Sequence, residues 1–388
     1  MREFLQELKK FFRKGDMVLL LLCLATSAFG CLMVASATNA AKFGGSSRYM
    51  LVQIGATLIG IIMYAFMSSI DTDIFSEHRT AFTILNIGLL LLLIPFGTDN
   101  NTGNRSWIPL PVIGIHIQPA EICKIFYILI MASVMGSHQN RISTVGSVFH
   151  MILHLALVAG VNYVVSSDLG VTLIFVAIFA GMFIAGGVKL WWFFAGMGGI
   201  AAIFPIFWSK FFSEEQKNRI LVLFIPEVID PTGLDERWHT TQSLDSLTGG
   251  GMLGQGLFNG NRTQGGQLFA QHTDYIFSSI GEELGYAGCI LVIVLMGAII
   301  GRCIWVGSKS KDYMRRMVCF GAAFALMFQV MINVGMCIGV MPVIGLTLPL
   351  ISYGGSSIIA IYTMLGLVSG VHARPVPRSH ERYVRPPL

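Results

Sequence analysis

The sequence predicts an all-α, polytopic membrane protein with ten transmembrane helices, both termini cytoplasmic, and one large extracytoplasmic loop between the seventh and eighth spans. Three observations lead there. The 388 residues have a mean hydropathy of +0.68, with 54% hydrophobic and only 12% charged residues. Several apolar runs exceed the ~18 residues that cross a bilayer. The runs are continuous rather than alternating with period two, and lipid offers the backbone no hydrogen-bond partner, so the spans are helices and not barrel strands.

The first span, 17–37, follows the basic stretch MREFLQELKKFFRKGD and has further spans behind it, which marks an anchor and not a cleaved signal. Continuous apolar runs place the second and third at 50–68 and 81–97. The fourth, 119–136, opens on Pro119, a residue suited to the first helical position. The fifth covers 147–165, and the sixth, 168–186, is headed by Asp168, expected to cap it. The seventh, 190–209, leads into the long loop 211–274, and the eighth covers 275–301. The ninth and tenth, 317–340 and 353–372, are joined by GVMPVIGLTLPLISYGGSS. Its prolines and Gly-Gly pair predict an irregular backbone, tolerated at membrane depth only inside protein or along a cavity. Most of the 26 Lys and Arg then fall on one side, which includes the N-terminal segment 1–16 and the tail 373–388. That side is the cytoplasmic one. The whole of 1–388 reads as a single membrane domain.

Two outer segments stand apart. TDNNTGNRSWIPLPVIGIHIQ, 98–118, is rich in turn formers and carries Arg105 and Trp107. The loop 211–274 is far longer than the other connections, a length that is functional or disordered. Its centre, LTGGGMLGQGLFNGN, argues against one packed helix and for a backbone that something approaches closely. The seven cysteines lie in apolar runs or a basic loop, so neither a disulfide framework nor a C-x-x-C metal signature is expected. No P-loop, G-x-S-x-G elbow or dinucleotide fingerprint occurs, which argues against an ATP-driven pump. No nucleic-acid partner is expected.

Three groups of charged residues carry the chemical interest. Asp274, where the long loop enters the eighth span, is placed either as a general base at the membrane edge or as a helix cap. Glu282 and Glu283 lie roughly 12 Å deeper if the helix is regular, and are expected to support the bundle by pairing with basic groups. Glu121 and Lys124, i and i+3 in QPAEICKIF, share a helix face. They form either a structural ion pair or a cation offered to an anionic group. With Arg105 and Trp107 nearby, an anionic, partly apolar ligand at the outer face fits.

Taken together, NRSWIPLP…IQPAEICK, the loop residues Arg219, Asp230, Pro231, Gly233, Gln242 and Ser243, HTDYIFSSIGEELG, and NVGMCIGVMPVIGLTLPLISYGGSS resemble the SEDS family of cell-shape, division and sporulation proteins, the FtsW/RodA/SpoVE type. The resemblance covers nearly all ten spans in order. It implies a peptidoglycan glycosyltransferase that polymerises lipid II into glycan strands at the outer face of the bacterial cytoplasmic membrane. Its implied partners are a class B penicillin-binding protein and other elongation or division proteins.

The family's proposed catalytic Asp falls on Asp274, with Tyr275 replacing the usual Phe. Its Trp and Q-P-x-E-x-x-K motif fall on Trp107, Gln118, Pro119, Glu121 and Lys124, and its S-Y-G-G-S-S motif on 352–357. His272, Ser352 and Tyr353 are thereby implied as substrate contacts beside Arg105, Trp107, Glu121 and Lys124, with Gln118 and Pro119 in support. Gly103-Asn104, Ser166-Ser167 and GNRTQ depart from the family pattern in the loops. GLTLPLISYGG leans to the division type and NVGM to the elongation type, which leaves the cellular role open. The implied reaction needs a base and positive charge at the departing pyrophosphate. Asp274 would be the base, with Lys124 or Arg105 at the pyrophosphate, alone or with a divalent cation, Mg or Mn. The competing classes are a lipid II flippase and a non-catalytic scaffold for the penicillin-binding protein.

Overall fold

The computed structural model describes residues 15–374 apart from 41–42, 44–46, 99–103, 111–114, 211 and 234–236. Residues 1–14 and 375–388, most of the two segments expected to be cytoplasmic, lie outside the described residues.

Helices form where the apolar runs stand. In chain order they are α1 (Met17–Ala37), α2 (Arg48–Ser69), the short α3 (Asp73–Glu77), α4 (Arg79–Leu91) with α5 (Leu93–Phe96), α6 (Pro119–Ser137), α7 (Val145–Ser166), α8 (Leu169–Ala185) and α9 (Leu190–Lys210). The long loop holds α10 (Glu214–Leu221), α11 (Pro226–Ile229), α12 (Trp238–Gly250) and α13 (Asn261–Gln264). The chain closes with α14 (Ile276–Lys309), α15 (Tyr313–Cys337) and α16 (Gly355–Ala373). Among the described residues, nine helices are long and apolar enough to cross a membrane, counting α4 and α5 as one. The chain is therefore a multi-pass, all-α membrane protein. The expected sixth span, α8, has 17 residues, because Asp168 caps it immediately after Ser167 ends α7 in the left-handed region at φ 57°. It is roughly 25 Å long, the shortest of the set.

The only strands among the described residues are β1 (Ile108–Leu110) and β2 (Ile115–Ile117), paired antiparallel with Ile108 opposite Ile117. They lift the turn-rich 98–118 segment into a hairpin, whose base is closed by a bridge between Thr98 and Trp107.

Close helix crossings order the bundle. A Cβ on Gly366 of α16 would come within 2.6 Å of the Tyr64 carbonyl on α2. Glycine there lets the two backbones touch and gain dispersion contacts that lipid cannot supply. At one end of the bundle the ionic groups are paired. Arg302 binds Asp16 at 2.9 Å, and Arg315 binds both Asp71 and Asp73 at 3.0 Å. Arg315 is buried at 1% exposure, so removing it strands two carboxylates. Arg315→Ala is expected to destabilise the folded protein by about 3 kcal/mol, read as a lower thermal midpoint in detergent; an unchanged midpoint would show that the pair only offsets its own desolvation.

The long loop is not one disordered stretch. α10 starts with a capping box in which Ser213 and Gln216 each bond the other's backbone N–H, a signature legible as S-E-E-Q. The glycine-rich centre packs against a break in α14. That helix runs 34 residues but changes direction at Gly285, with φ 68° and ψ −163°. A straight helix of that length would measure roughly 51 Å. The part from Tyr286 to Lys309 alone measures roughly 36 Å, enough for a hydrocarbon core of about 30 Å. Residues 276–284 thus belong with the loop. Gln255 N–H bonds Glu282 O at 2.9 Å, Gly256 N–H bonds Glu283 O at 3.0 Å, and Tyr286 N–H bonds Gly251 O at 2.9 Å. A Cβ on Gly250 would sit 1.9 Å from Gly281 O, and one on Gly254 2.1 Å from Glu283 O. The close neighbour that the glycines predict is this broken helix.

Candidate active site

Three segments meet at the end of the bundle opposite the ion pairs: the hairpin with its following helix start, the turn 265–275, and the irregular stretch 338–354. Gln118 and Pro119 begin α6 as the sequence predicts, with Pro119 in the first turn. Asp168 caps α8 by accepting from Val171 N–H at 3.0 Å. It also accepts from Ser106 Oγ at 3.0 Å and from Gln118 Nε2 at 3.4 Å. Ser106, between Arg105 and Trp107, thereby ties the hairpin base to the head of α8.

Asp274 is not a cap. Tyr275 occupies the N-cap position of α14 and makes no side-chain cap bond. The Asp274 carboxylate accepts no hydrogen bond from any described side chain or backbone N–H, while the residue keeps part of its surface open. Burial, and then the charge of Asp168, push its carboxyl up to about 6. Burial likewise raises Asp168, against the pull of its hydrogen bonds and of Lys124. Asp274 is thus a carboxylate that protein surrounds without claiming.

Arg105 is exposed. Its Nε donates to Gly97 O at 2.9 Å and its backbone N–H to Ser166 O at 3.0 Å. Trp107 is half-buried beside it. Lys124 lies deeper, with its Nζ 2.8 Å from Glu121 Oε1 and both side chains near 5% exposure. Of the two cations expected to face an anion, only Arg105 reaches the surface. The Glu121–Lys124 pair lines a small cavity with Gln329, Ala360, Ile361 and Met364 between α6, α15 and α16. It takes the form of a structural ion pair.

His272 is half-buried and packs edge-on to Phe43 and Tyr49, with Tyr353 beside it at 5.6 Å between ring centroids. Ser352, implied as a substrate contact, is buried at 3% exposure. Its hydroxyl donates to Thr273 O at 2.6 Å and accepts from Leu348 N–H at 2.8 Å. It fastens the turn before Asp274 and has no face toward a ligand.

Glu282 and Glu283 differ from expectation in partner. Glu282 accepts from Arg262 N–H at 2.8 Å, Thr263 N–H at 2.9 Å and Thr263 Oγ1 at 2.6 Å. Glu283 accepts from Gln264 Nε2 at 2.7 Å and from Ser36 Oγ. No basic side chain neutralises either one among the described residues. The break at Gly285 is the cause, because it holds both carboxylates in the loop seam, where neutral N–H and O–H donors are available.

Several participants carry no signal that sequence reasoning singles out. Gln271, fully buried, donates from Nε2 to Thr263 O at 2.9 Å and to Ala37 O. Ser106 and Ser279 are small polar residues with no pattern to mark them, whereas Asn333 is visible as a polar residue inside an apolar run. No three His, Cys, Asp or Glu side chains converge as metal ligands among the described residues.

The comparisons agree with this architecture. A model of the FtsW/RodA/SpoVE family, described as cell cycle protein, matches residues 16–375. The chain is 30% identical over 361 residues to peptidoglycan glycosyltransferase MrdB of Escherichia coli strain K12, covering 92% of this chain and 93% of that protein. It is 31% identical over 380 residues to the probable peptidoglycan glycosyltransferase FtsW of Trichlorobacter lovleyi, covering 95% and 96%. Among solved structures, it superposes with TM-score 0.75 and 26% identity on a chain of a peptidoglycan synthase complex that coordinates polymerization and crosslinking, covering 92% of this chain and 97% of that one. The rod shape determining protein RodA of Thermus thermophilus gives TM-score 0.67 at 24% identity, covering 92% and 96%, a likeness of fold. With the family model spanning the loop, the break in α14 and every site residue named above, the chain belongs to the FtsW/RodA/SpoVE family of cell cycle proteins.

Proposed function

We infer that the chain is a peptidoglycan glycosyltransferase of cell wall synthesis, and that it polymerises lipid II at the outer face of the bacterial cytoplasmic membrane beside a class B penicillin-binding protein. The observation that carries the chemistry is Asp274: a carboxylate without a hydrogen-bond donor among the described residues, pushed up to about 6, at the mouth of the bundle. A base with that value is ionised at neutral pH and still binds a proton usefully, the match general-base catalysis wants.

In the proposed reaction Asp274 takes the proton from the 4-hydroxyl of a GlcNAc on one lipid-linked unit. That oxygen forms a bond to the anomeric carbon of MurNAc on another unit, while the bond from that carbon to the pyrophosphate oxygen breaks. The electron pair leaves with undecaprenyl pyrophosphate, whose charge Arg105 meets at the surface. Attack opposite an α-linked leaving group inverts the centre to β, as in inverting glycosidases. Trp107, His272 and Tyr353 offer flat faces around this point. Lys124 offsets Glu121 and Asp168 from below. The distribution of Lys and Arg supports placing this end outside the cell.

A flippase would need polar groups along a path between both ends. The ionic groups at the far end are instead closed in pairs by Arg302 and Arg315, which favours the polymerase. The deciding experiment is glycan-strand formation from purified lipid II by the detergent-solubilised chain with its cognate penicillin-binding protein. Wild type is expected to make strands and Asp274→Ala to make them typically 10²–10⁴-fold more slowly. Silence from both, in a folded complex that moves labelled lipid II across liposomes, would establish the flippase instead.

A further inference from the structure

Four consecutive backbone carbonyls leading to the carboxylate are each held by a donor. Gln271 O accepts from Ser279 Oγ at 3.1 Å, His272 O from Tyr353 N–H at 2.8 Å, Thr273 O from Ser352 Oγ at 2.6 Å, and Asp274 O from Asn333 Nδ2 at 2.8 Å. Asn333 differs from the other three. It comes from the interior of α15, is completely buried, and spends its second amide proton on Leu346 O at 2.7 Å. Both neighbours are carbonyls, so the NH2 must face them and the amide has one possible orientation. Its Oδ1 is left buried without a hydrogen-bond partner. An apolar side chain would avoid that orphaned acceptor but would take the amide donor away from two carbonyls, so the amide is there for the two backbone segments it joins.

What the amide gains is a fixed distance. Leu346 follows Gly345, which stands at φ +68° and at which a Cβ would lie 3.6 Å from Asp274 Oδ2. A single NH2 therefore joins the backbone that carries the carboxylate to the backbone that walls it. Cys337, one turn further along α15, adds a weaker contact from Sγ to the same Asp274 carbonyl at 3.7 Å. Resting on the glycosyltransferase function proposed above, with Asp274 as its base, we propose that Asn333 is a positioning residue that aims the Asp274 carboxylate at the acceptor hydroxyl.

The test uses the full chain in complex with its penicillin-binding partner and lipid II as substrate. Asn333→Ala is expected to lower kcat roughly 100-fold, the scale of a 1 Å misplacement, with KM for lipid II within about twofold, because both carbonyls it serves are taken up by the amide and not offered to a ligand. Asn333→Leu, close in volume and unable to donate, should be as slow. Asn333→Ser keeps one donor and should fall between, and it decides the matter if Asn333→Ala does not fold. The double variant Asn333→Ala with Asp274→Ala should be no slower than Asp274→Ala alone, since the amide acts only through that carboxylate. A wild-type kcat for folded Asn333→Ala, or a further loss in the double variant, overturns the positioning role while leaving the base assignment standing. Full activity of Asp274→Ala sinks the base assignment, and the positioning role falls with it.

Discussion

Asp274→Asn is expected to slow glycan-strand synthesis severely while making the folded protein slightly more stable. Loss of a general base costs typically 10²–10⁴-fold, and Asn keeps the shape while losing the basicity. The stability change follows from the proton balance. The Asp274 carboxyl rises from 3.8 to about 6 on folding, because of burial first and the charge of Asp168 second. The folded state therefore holds that proton more tightly than the unfolded chain. The associated stability is fully present below pH 4 and is lost as pH rises through about 6. At neutral pH the native protein carries an ionised carboxylate in an unfavourable place, and the neutral amide relieves it. Since Asp274 keeps part of its surface in contact with solvent, the gain is expected to be about 1 kcal/mol, less than the full shift would give. Two measurements check this: polymerisation rates across pH 5 to 8, where wild-type activity should rise through a limb near 6, and thermal midpoints of both proteins at pH 7.5. Wild-type rates from Asp274→Asn, or a flat limb, would remove Asp274 from the chemistry.

The spans, the cap at Asp168, the helix start at Pro119 and the ion pair of Glu121 with Lys124 are legible in the sequence because each depends on neighbours within one helical turn. Asp274 is legible as a candidate only; the alternative of a cap disappears when Tyr275 takes the N-cap position, a matter of one residue of register. The break in α14 is not legible from GEELGYAG. A glycine inside an apolar run predicts a small cost in helix stability, and only the approach of the Gly251 and Gly254 backbone turns Gly285 into a change of direction. The partners of Glu282 and Glu283 are illegible for the same reason, since they come from residues far away in sequence that meet only after the loop folds onto the break. Ser352 shows the converse: its motif marks it as important, yet the hydroxyl is used up holding the backbone of Thr273. Motif membership places a residue near the chemistry without saying whether it faces inward or outward.

Glu282→Ala should have the opposite signature to Asp274→Asn, losing activity and stability together. The carboxylate is 1% exposed and gathers two backbone N–H groups and one hydroxyl from the start of α13. Hydrogen bonds to a charged acceptor contribute roughly 1.5–3 kcal/mol each and are not additive, so a loss of about 4 kcal/mol is expected. The damage then travels along a defined route. Thr263 O holds Gln271 through its Nε2 at 2.9 Å, and Gln271 begins the turn whose carbonyls fix Asp274. Releasing Thr263 loosens that turn from behind. Glu282→Gln keeps one acceptor but points an NH2 at an N–H donor, and should lie between alanine and wild type on both scales. Thermal unfolding, with limited proteolysis of the 250–264 stretch, reads the first effect; polymerisation of lipid II reads the second. An unchanged midpoint with lost activity would mean that Glu282 touches substrate, and the supporting role would be wrong. A shared loss, set beside the gain in Asp274→Asn, separates the carboxylate that performs the chemistry from the one that holds it in place.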